Sequence, residues 1–249
     1  MTMLSVNLNK VATLRNARNT DYPSMLQAAR TCVDAGAGGI TVHPRPDGRH
    51  TRFADVCSLA AFVRGQLGVE FNVEGNPVPD FIRLVLETHP TQCTLVPDAP
   101  EAMTSDHGWD LQADGRSLLP IIENLRGVGI RVSLFVNPEA RQIDCAKELR
   151  ADRIELYTGS YARAFGSGDL QSELGRFVEA AEEANRAGLG INAGHDLTLE
   201  NVGLFCREVP GVLEVSIGHA LVSRALEVGL AQAVKDYRGA IGNTQPNYA

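Results

Sequence analysis

The stretch Gly39-Ile40-Thr41-Val42-His43-Pro44-Arg45-Pro46-Asp47-Gly48-Arg49-His50 decides how the rest of the chain reads. Ile40 to Val42 is a short β-branched, apolar run of the kind that forms a buried strand. Pro44 and Pro46 cannot continue a strand ladder, so the strand ends in His43. Two arginines, an aspartate and a second histidine then crowd a loop too polar to be core. One rigid strand thus delivers an imidazole and a set of anion-binding groups to a single point. For this stretch alone a charged surface turn is an equal reading. What separates the two is that the same layout recurs along the chain.

Working outward, Leu4 to Asn9 alternates like a strand, with Asn7, Asn9 and Lys10 at or near its end and Arg15 and Arg18 in a polar loop after it. Pro23 and Ser24 open a helix that runs to about Ala35 and stops at Gly36. Thr51 is placed to cap a helix from about Phe53 to Gln66. Further strands are predicted at Val69–Glu74, Gln92–Val96, Gly129–Val136, Arg153–Tyr157, Gly190–His195 and Leu213–Ile217. Helices are predicted between them at Pro79–Thr88, Arg116–Gly127, Glu139–Leu149, Leu170–Ala187 and Leu199–Glu208, with final helices reaching about Gly239. Residues 98–115 form a long polar segment holding the single tryptophan, Trp109, and read as an ordered or closing loop.

Strands that alternate with helices, without hairpin signals, imply a parallel sheet. Eight such units in 249 residues is the size of a closed barrel. Glycine recurs where a helix stops and a strand begins, at Gly36-Ala37-Gly38, Gly127-Val128-Gly129 and Gly188-Leu189-Gly190. The competing open, doubly wound sheet needs a glycine-rich loop after its first strand, and residues 7–18 contain no glycine. The fold class is therefore α/β, a single-domain (β/α)8 TIM barrel over residues 1–242, followed by a flexible tail over 243–249.

Composition narrows the function. A hydrophobic fraction of 44% supports a large core, and a net charge of −7 argues against nucleic-acid or membrane-surface binding. Met1 to Arg18 has no apolar signal core, and no apolar run is long enough to span a membrane. The five cysteines are scattered and never form Cys-x-x-Cys, which fits reduced thiols in a cytoplasmic protein.

In such a barrel the strand C-termini face one mouth, where chemistry sits. Those ends carry Asn7, Asn9, His43, Arg45, Glu74, Glu155, His195 and His219. Facing histidines and carboxylates form a general acid/base set. A lone histidine is more simply a hydrogen-bonded structural residue, and His89, before Pro90 at the opposite end, fits that description. Gly194-His195 and Gly218-His219 follow the seventh and eighth strands, where barrels commonly hold phosphate on backbone N–H groups. Arg18, Arg45 and Arg49 offer a second anion site. Two anion sites suggest one bisphosphate or two monophosphates. No His-x-His pair or His-Glu-x-x-His helix is present, so no metal is expected.

Several motifs resemble the pyridoxine 5'-phosphate synthase family. They are Val6-Asn7-Leu8, Ala12-Thr13-Leu14-Arg15-Asn16-Ala17-Arg18, Gly39-Ile40-Thr41-Val42-His43, Leu95-Val96-Pro97, Val132-Ser133-Leu134-Phe135, Asn192-Ala193-Gly194-His195 and Ile217-Gly218-His219-Ala220. The resemblance runs in order over nearly the whole chain. It implies a (β/α)8 barrel that condenses 3-amino-1-hydroxyacetone 1-phosphate with 1-deoxy-D-xylulose 5-phosphate, without a cofactor, in a homo-oligomer that is typically an octamer. It further implies His43 as the first acid or base, Glu74 as a second base, His195 as the acid for a leaving oxygen and Glu155 as the stabiliser of a cationic state. By the same resemblance Asn7, Arg18, Gly218 and His219 hold the amino ketone phosphate, and Arg45, His50 and Thr104 hold the sugar phosphate.

The chain departs from the family pattern at two places. Where the family commonly has Asp-His after Val-Asn-x, this chain has Asn9-Lys10, at positions that contact the sugar phosphate in the family. Asp196 stands where the family commonly has glycine, which alters one anion contact. A related barrel lyase or aldolase acting on another phosphorylated ketone, and a non-catalytic binder of phosphorylated metabolites, are the alternatives. The joint presence of His43, Glu74 and His195 speaks against the binder, which needs no proton-transfer set.

Overall fold

The structure, a computed structural model, describes residues 2–18, 20–98 and 105–242. Eight strands close into one barrel in chain order: β1 (Met3–Asn7), β2 (Gly39–Val42), β3 (Glu70–Gly75), β4 (Gln92–Leu95), β5 (Arg131–Val136), β6 (Arg153–Tyr157), β7 (Gly190–Gly194) and β8 (Val212–Ile217). All neighbours are parallel, and β8 closes on β1 with Met3 opposite Glu214. The helices are α1 (Asn9–Asn16), α2 (Met25–Asp34), α3 (Phe53–Arg64), α4 (Pro79–Thr88), α5 (Leu111–Gly127), α6 (Ala140–Glu148), α7 (Gly159–Ala164), α8 (Leu170–Ala187), α9 (Val202–Glu208), α10 (His219–Val228) and α11 (Leu230–Gly242). This is the single (β/α)8 barrel that the alternation predicts. Residues 99–104 and 243–249, which include Thr104 and the expected tail, lie outside the described residues.

The two-residue period of each strand sorts its side chains. Val6, Ile40, Val73, Val132, Ile154, Ile191 and Val215 join helix residues such as Ala29, Leu59, Val85 and Phe177 in one apolar core. That core lies between the strands and the helices. The alternate positions, Ser5, Thr41, Asn72, Thr94, Ser133, Glu155, Asn192 and Glu214, are buried as well. They fill the inside of the barrel, because Asn192 of β7 donates to Gln92 of β4 at 3.3 Å, and these strands are not neighbours. Barrel interiors are more often layered with branched apolar side chains. Buried polar groups need partners, and here Arg131 donates to Gln92 at 2.8 Å, Arg153 to Asn192 at 3.0 Å and Thr94 to Asn72 at 3.1 Å. An Arg131–Glu70 ion pair lies at the lower rim.

Four local readings are corrected. Asn9, Lys10 and Arg15 are helical in α1 instead of lying on a strand end and a loop. The Asn7 side chain accepts from the Asn9 N–H at 3.0 Å and turns the chain at once. Arg15, buried, forks onto Asp55 with bonds of 2.5 and 2.9 Å and pins α1 to α3. Thr51 does not cap α3: its hydroxyl donates to Asn9 Oδ1 at 2.9 Å, and Asp55 accepts from the Arg52 N–H at the helix start. α5 begins at Leu111, not Arg116, under an Asp110 cap, and Gly159–Ala164, for which no element is predicted above, forms α7. His89 ends α4 in the left-handed region, with its ring nitrogen on the Val128 carbonyl, a structural role. No helix among the described residues is long and apolar enough to cross a membrane.

Candidate active site

The strand C-termini open on a cavity of about 300 Å³. Asn7, Asn9, Lys10, His43, Arg45, His50, Glu74, His195, Asp196, Gly218 and His219 line it, joined by Ser105 and Ser216. Glu155 is buried in the barrel interior, with its Oε1 beside Gly194. Arg18 is exposed beyond the end of α1 and is not among the lining residues. Arg49 is salt-bridged to Asp47.

The loop after β2 is built by its neighbours. Asn9 Oδ1 accepts two bonds, from the His43 N–H and from Thr51, both at 2.9 Å. This carboxamide therefore fixes the end of β2, and its oxygen is committed within the protein. Arg45 donates to Asp98 at 2.5 Å, both side chains are buried, and Ser105 donates to the same carboxylate oxygen at 2.6 Å. Breaking a buried pair strands one charge. Asp98→Asn is therefore expected to lower stability by about 3 kcal/mol, read as a lower urea midpoint with an unchanged slope. An unchanged midpoint would show that Arg45 finds another partner.

Electrostatics distinguish the groups by burial. His43 is buried, and burial together with Arg45, His50 and His195 holds its imidazole well below the usual range, hence neutral. His50 is lowered to about 4, by burial first and then by Arg45. Glu74 receives the Asn7 and Asn72 side-chain amides, each at 3.4 Å. Burial raises its carboxyl well above the ordinary range, and Glu155, Glu214 and Asp98 add to this. Burial and Glu214 raise Glu155 likewise. Its Oε2 has no hydrogen-bond partner among the described groups. A neutral imidazole can accept a proton, and protonated carboxyls can donate one.

His195 is the last element of the site. It follows Gly194, where a Cβ would lie 2.6 Å from the Ser216 carbonyl oxygen. Its own φ is +90°, a strained value for a residue with a side chain. The Tyr157 ring meets its imidazole edge-on, with centroids 6.0 Å apart. Beside it, after the neighbouring strand β8, Gly218 and His219 begin α10, so free backbone N–H groups border the cavity and suit a phosphate. Among the described residues, no group of three His, Cys, Asp or Glu side chains is placed to hold a metal ion.

Asp98, Ser105, Asn72, Ser216 and Tyr157 were not singled out from sequence. Asn72 and Tyr157 sit two residues from Glu74 and Glu155 on the same strand faces, so period-two alternation could have found them. Asp98 had no such signal.

Comparison with known proteins bears on the fold and the chemistry separately. A family model described as pyridoxal phosphate biosynthesis protein PdxJ matches residues 4–243. The chain is 53% identical over 243 residues to pyridoxine 5'-phosphate synthase of Xanthomonas oryzae pv. oryzae (strain PXO99A), covering 95% of each. It is 49% identical to the protein of that name from Bacteroides fragilis (strain YCH46), over 97% of this chain and 100% of the relative. Among solved structures, the ligand-free tryptophan synthase of M. tuberculosis superposes with a TM-score of 0.64 at 13% identity, over 96% of this chain and 93% of that one. The tryptophan synthase alpha subunit of Legionella pneumophila does so with 0.60 at 15%, over 97% and 93%. At such identities these two likenesses speak for the barrel fold alone.

Proposed function

The chain belongs to the family of the pyridoxal phosphate biosynthesis protein PdxJ, and from that premise we propose how its barrel mouth carries out the pyridoxine 5'-phosphate synthase reaction. Its substrates are small phosphorylated molecules, 3-amino-1-hydroxyacetone 1-phosphate and 1-deoxy-D-xylulose 5-phosphate. Amine adds to ketone, water and phosphate leave, and the ring closes by an aldol-type attack. Each of these steps moves a proton.

In this reading His43, neutral and beside Arg45, takes the first proton at the sugar phosphate. Glu74 removes a proton from carbon and returns it during dehydration, a double duty suited to a carboxyl that burial raises well above its ordinary range. His195 protonates the leaving oxygen. Glu155 ionises to balance a cationic iminium-like state. Asn7, Gly218 and His219, at the start of α10, hold the amino ketone phosphate, with Arg18 reaching it from outside the cavity. Arg45, His50 and Thr104 hold the sugar phosphate. Lys10 adds an ammonium to that side, whereas Asn9 acts through His43. Asp196 borders the phosphate contacts.

The observation that supports this most is the shared cavity: His43, Glu74 and His195 line the same 300 Å³ as the phosphate-binding groups. The test is to incubate the chain with both phosphates in EDTA and measure pyridoxine 5'-phosphate and released phosphate. Equimolar appearance of the two is expected. Phosphate release without the pyridine product would favour a lyase, and neither product would remove the reading. EDTA sensitivity reversed by added metal would overturn the metal-free chemistry.

The same reading includes a homo-oligomer, an octamer by family resemblance, for which the exposed Tyr22, Leu226 and Leu14 are available contact surface. Mass in solution tests it. A cytoplasmic location accords with five cysteines that are all free thiols.

A further inference from the structure

Asp196 sets a carboxylate beside the imidazole that the proposed reaction uses as its acid. His195 Nδ1 and Asp196 Oδ1 are 3.3 Å apart, within ion-pair reach but not aligned as a hydrogen bond, and both residues line the cavity. The imidazole is not a loose surface group. Its backbone N–H donates to the Ser216 carbonyl at 3.3 Å, Gly194 before it leaves no room for a Cβ, and Tyr157 flanks its ring. The backbone of His195 is held at a strained, positive φ, and its side chain and the following carboxylate line the same cavity.

We propose that Asp196 is a positioning residue for His195: its carboxylate holds Nδ1–H and leaves Nε2 as the nitrogen that meets the reacting oxygen. The choice of ring nitrogen in a working histidine is set by the bond that the other nitrogen makes. The Asp196 carboxyl is itself held below the usual carboxylate range, chiefly by the His195 ring beside it. Other charged and titratable groups face the pair from the packed elements. They are His43 after β2, Glu155 and Tyr157 of β6, Asp106 before α5, Arg163 of α7 and His219 of α10. None of them is altered in the test below.

The proposal rests on the reading of His195 as the acid, so the experiment separates the two. Rates of the full chain with both phosphates are measured for the wild type, Asp196→Asn, Asp196→Glu and His195→Gln. Asp196→Asn is expected to lower kcat about tenfold and to change either KM less than about twofold. Asp196→Glu restores part of kcat. A purely local structural role would lower the melting temperature or raise KM and would not be rescued by glutamate. An Asp196→Asn enzyme with unchanged kcat, or with raised KM and intact kcat, overturns the proposal while an inactive His195→Gln keeps the acid reading. A His195→Gln enzyme that retains its kcat overturns both.

Discussion

Glu74→Gln is expected to lower kcat roughly 10³-fold while the barrel stays folded. Glu74 is buried on the last turn of β3 toward the mouth and takes one amide on each oxygen, from Asn7 and Asn72. Glutamine keeps the shape and can still accept at one oxygen. What it loses is the ability to exchange a proton. Burial first, then Glu155, Glu214 and Asp98, disfavour the ionised form of this carboxyl, and Arg45 opposes them. A carboxylate that is costly to form is a strong base once formed, which is what abstraction from carbon needs. The variant should bind both phosphates, since the arginine, histidine and backbone contacts are untouched. Single-turnover formation of the pyridine product, with the melting temperature as the control for folding, checks this. A variant keeping more than about a tenth of wild-type kcat would assign the carbon proton to another group, with Glu155 the next candidate by position.

The barrel was legible because its punctuation is local. Glycine at several helix-to-strand joins and proline after His43 act within a few residues, and they punctuate the eight apolar runs. The mouth was legible for the same reason, since a strand's last residue is known once its terminator is. What stayed hidden depends on distant partners. Thr51 has the chemistry of a helix cap, but Asn9, 42 residues away, offers its hydroxyl a better acceptor. α1 buries only Val11 and Ala12 in the apolar core, and the buried Arg15–Asp55 pair, 40 residues apart, ties it to α3. Asp98 joins the site through Arg45, 53 residues earlier, and through Ser105. The polar barrel interior is an intermediate case. Glu70-Phe71-Asn72-Val73-Glu74 and Arg153-Ile154-Glu155-Leu156-Tyr157 display it openly, but alternation announces a strand without saying which face turns to the helices. Only closure, with apolar helix faces outside, turns the polar set inward.

That inward set fixes the pH dependence of stability, and the sign can be worked out group by group. Glu74 and Glu155 have raised carboxyls in the folded chain, Glu155 up to about 8, and Glu214 is raised to about 7 from an ordinary 4.5. Burial is the largest cause for each, and Arg153 moderates the rise at Glu214. Above pH 4.5 the folded chain therefore holds more protons at these sites than the unfolded chain, and stability falls as pH rises. His43 and His50 act in the opposite sense. Both are lowered from 6.5, so their contribution is complete above that pH and is lost as pH falls toward the folded values. Between pH 4.5 and 6.5 the two sets offset one another. Above 6.5 the histidines are neutral in both states and the carboxyls act unopposed. From pH 6.5 to 8 the chain is expected to lose about 2 kcal/mol through Glu155 and Glu214, at 1.36 kcal/mol per proton per pH unit, with Glu74 adding to the loss. Urea midpoints across this range read the loss directly. Glu155→Gln removes one titrating group, so about half of the slope should disappear and the variant should exceed the wild type in stability at pH 8. A wild-type midpoint that is flat or rising over this range would mean that the interior carboxyls are already ionised at pH 6.5. Glu74 could not then serve as a proton donor near neutrality.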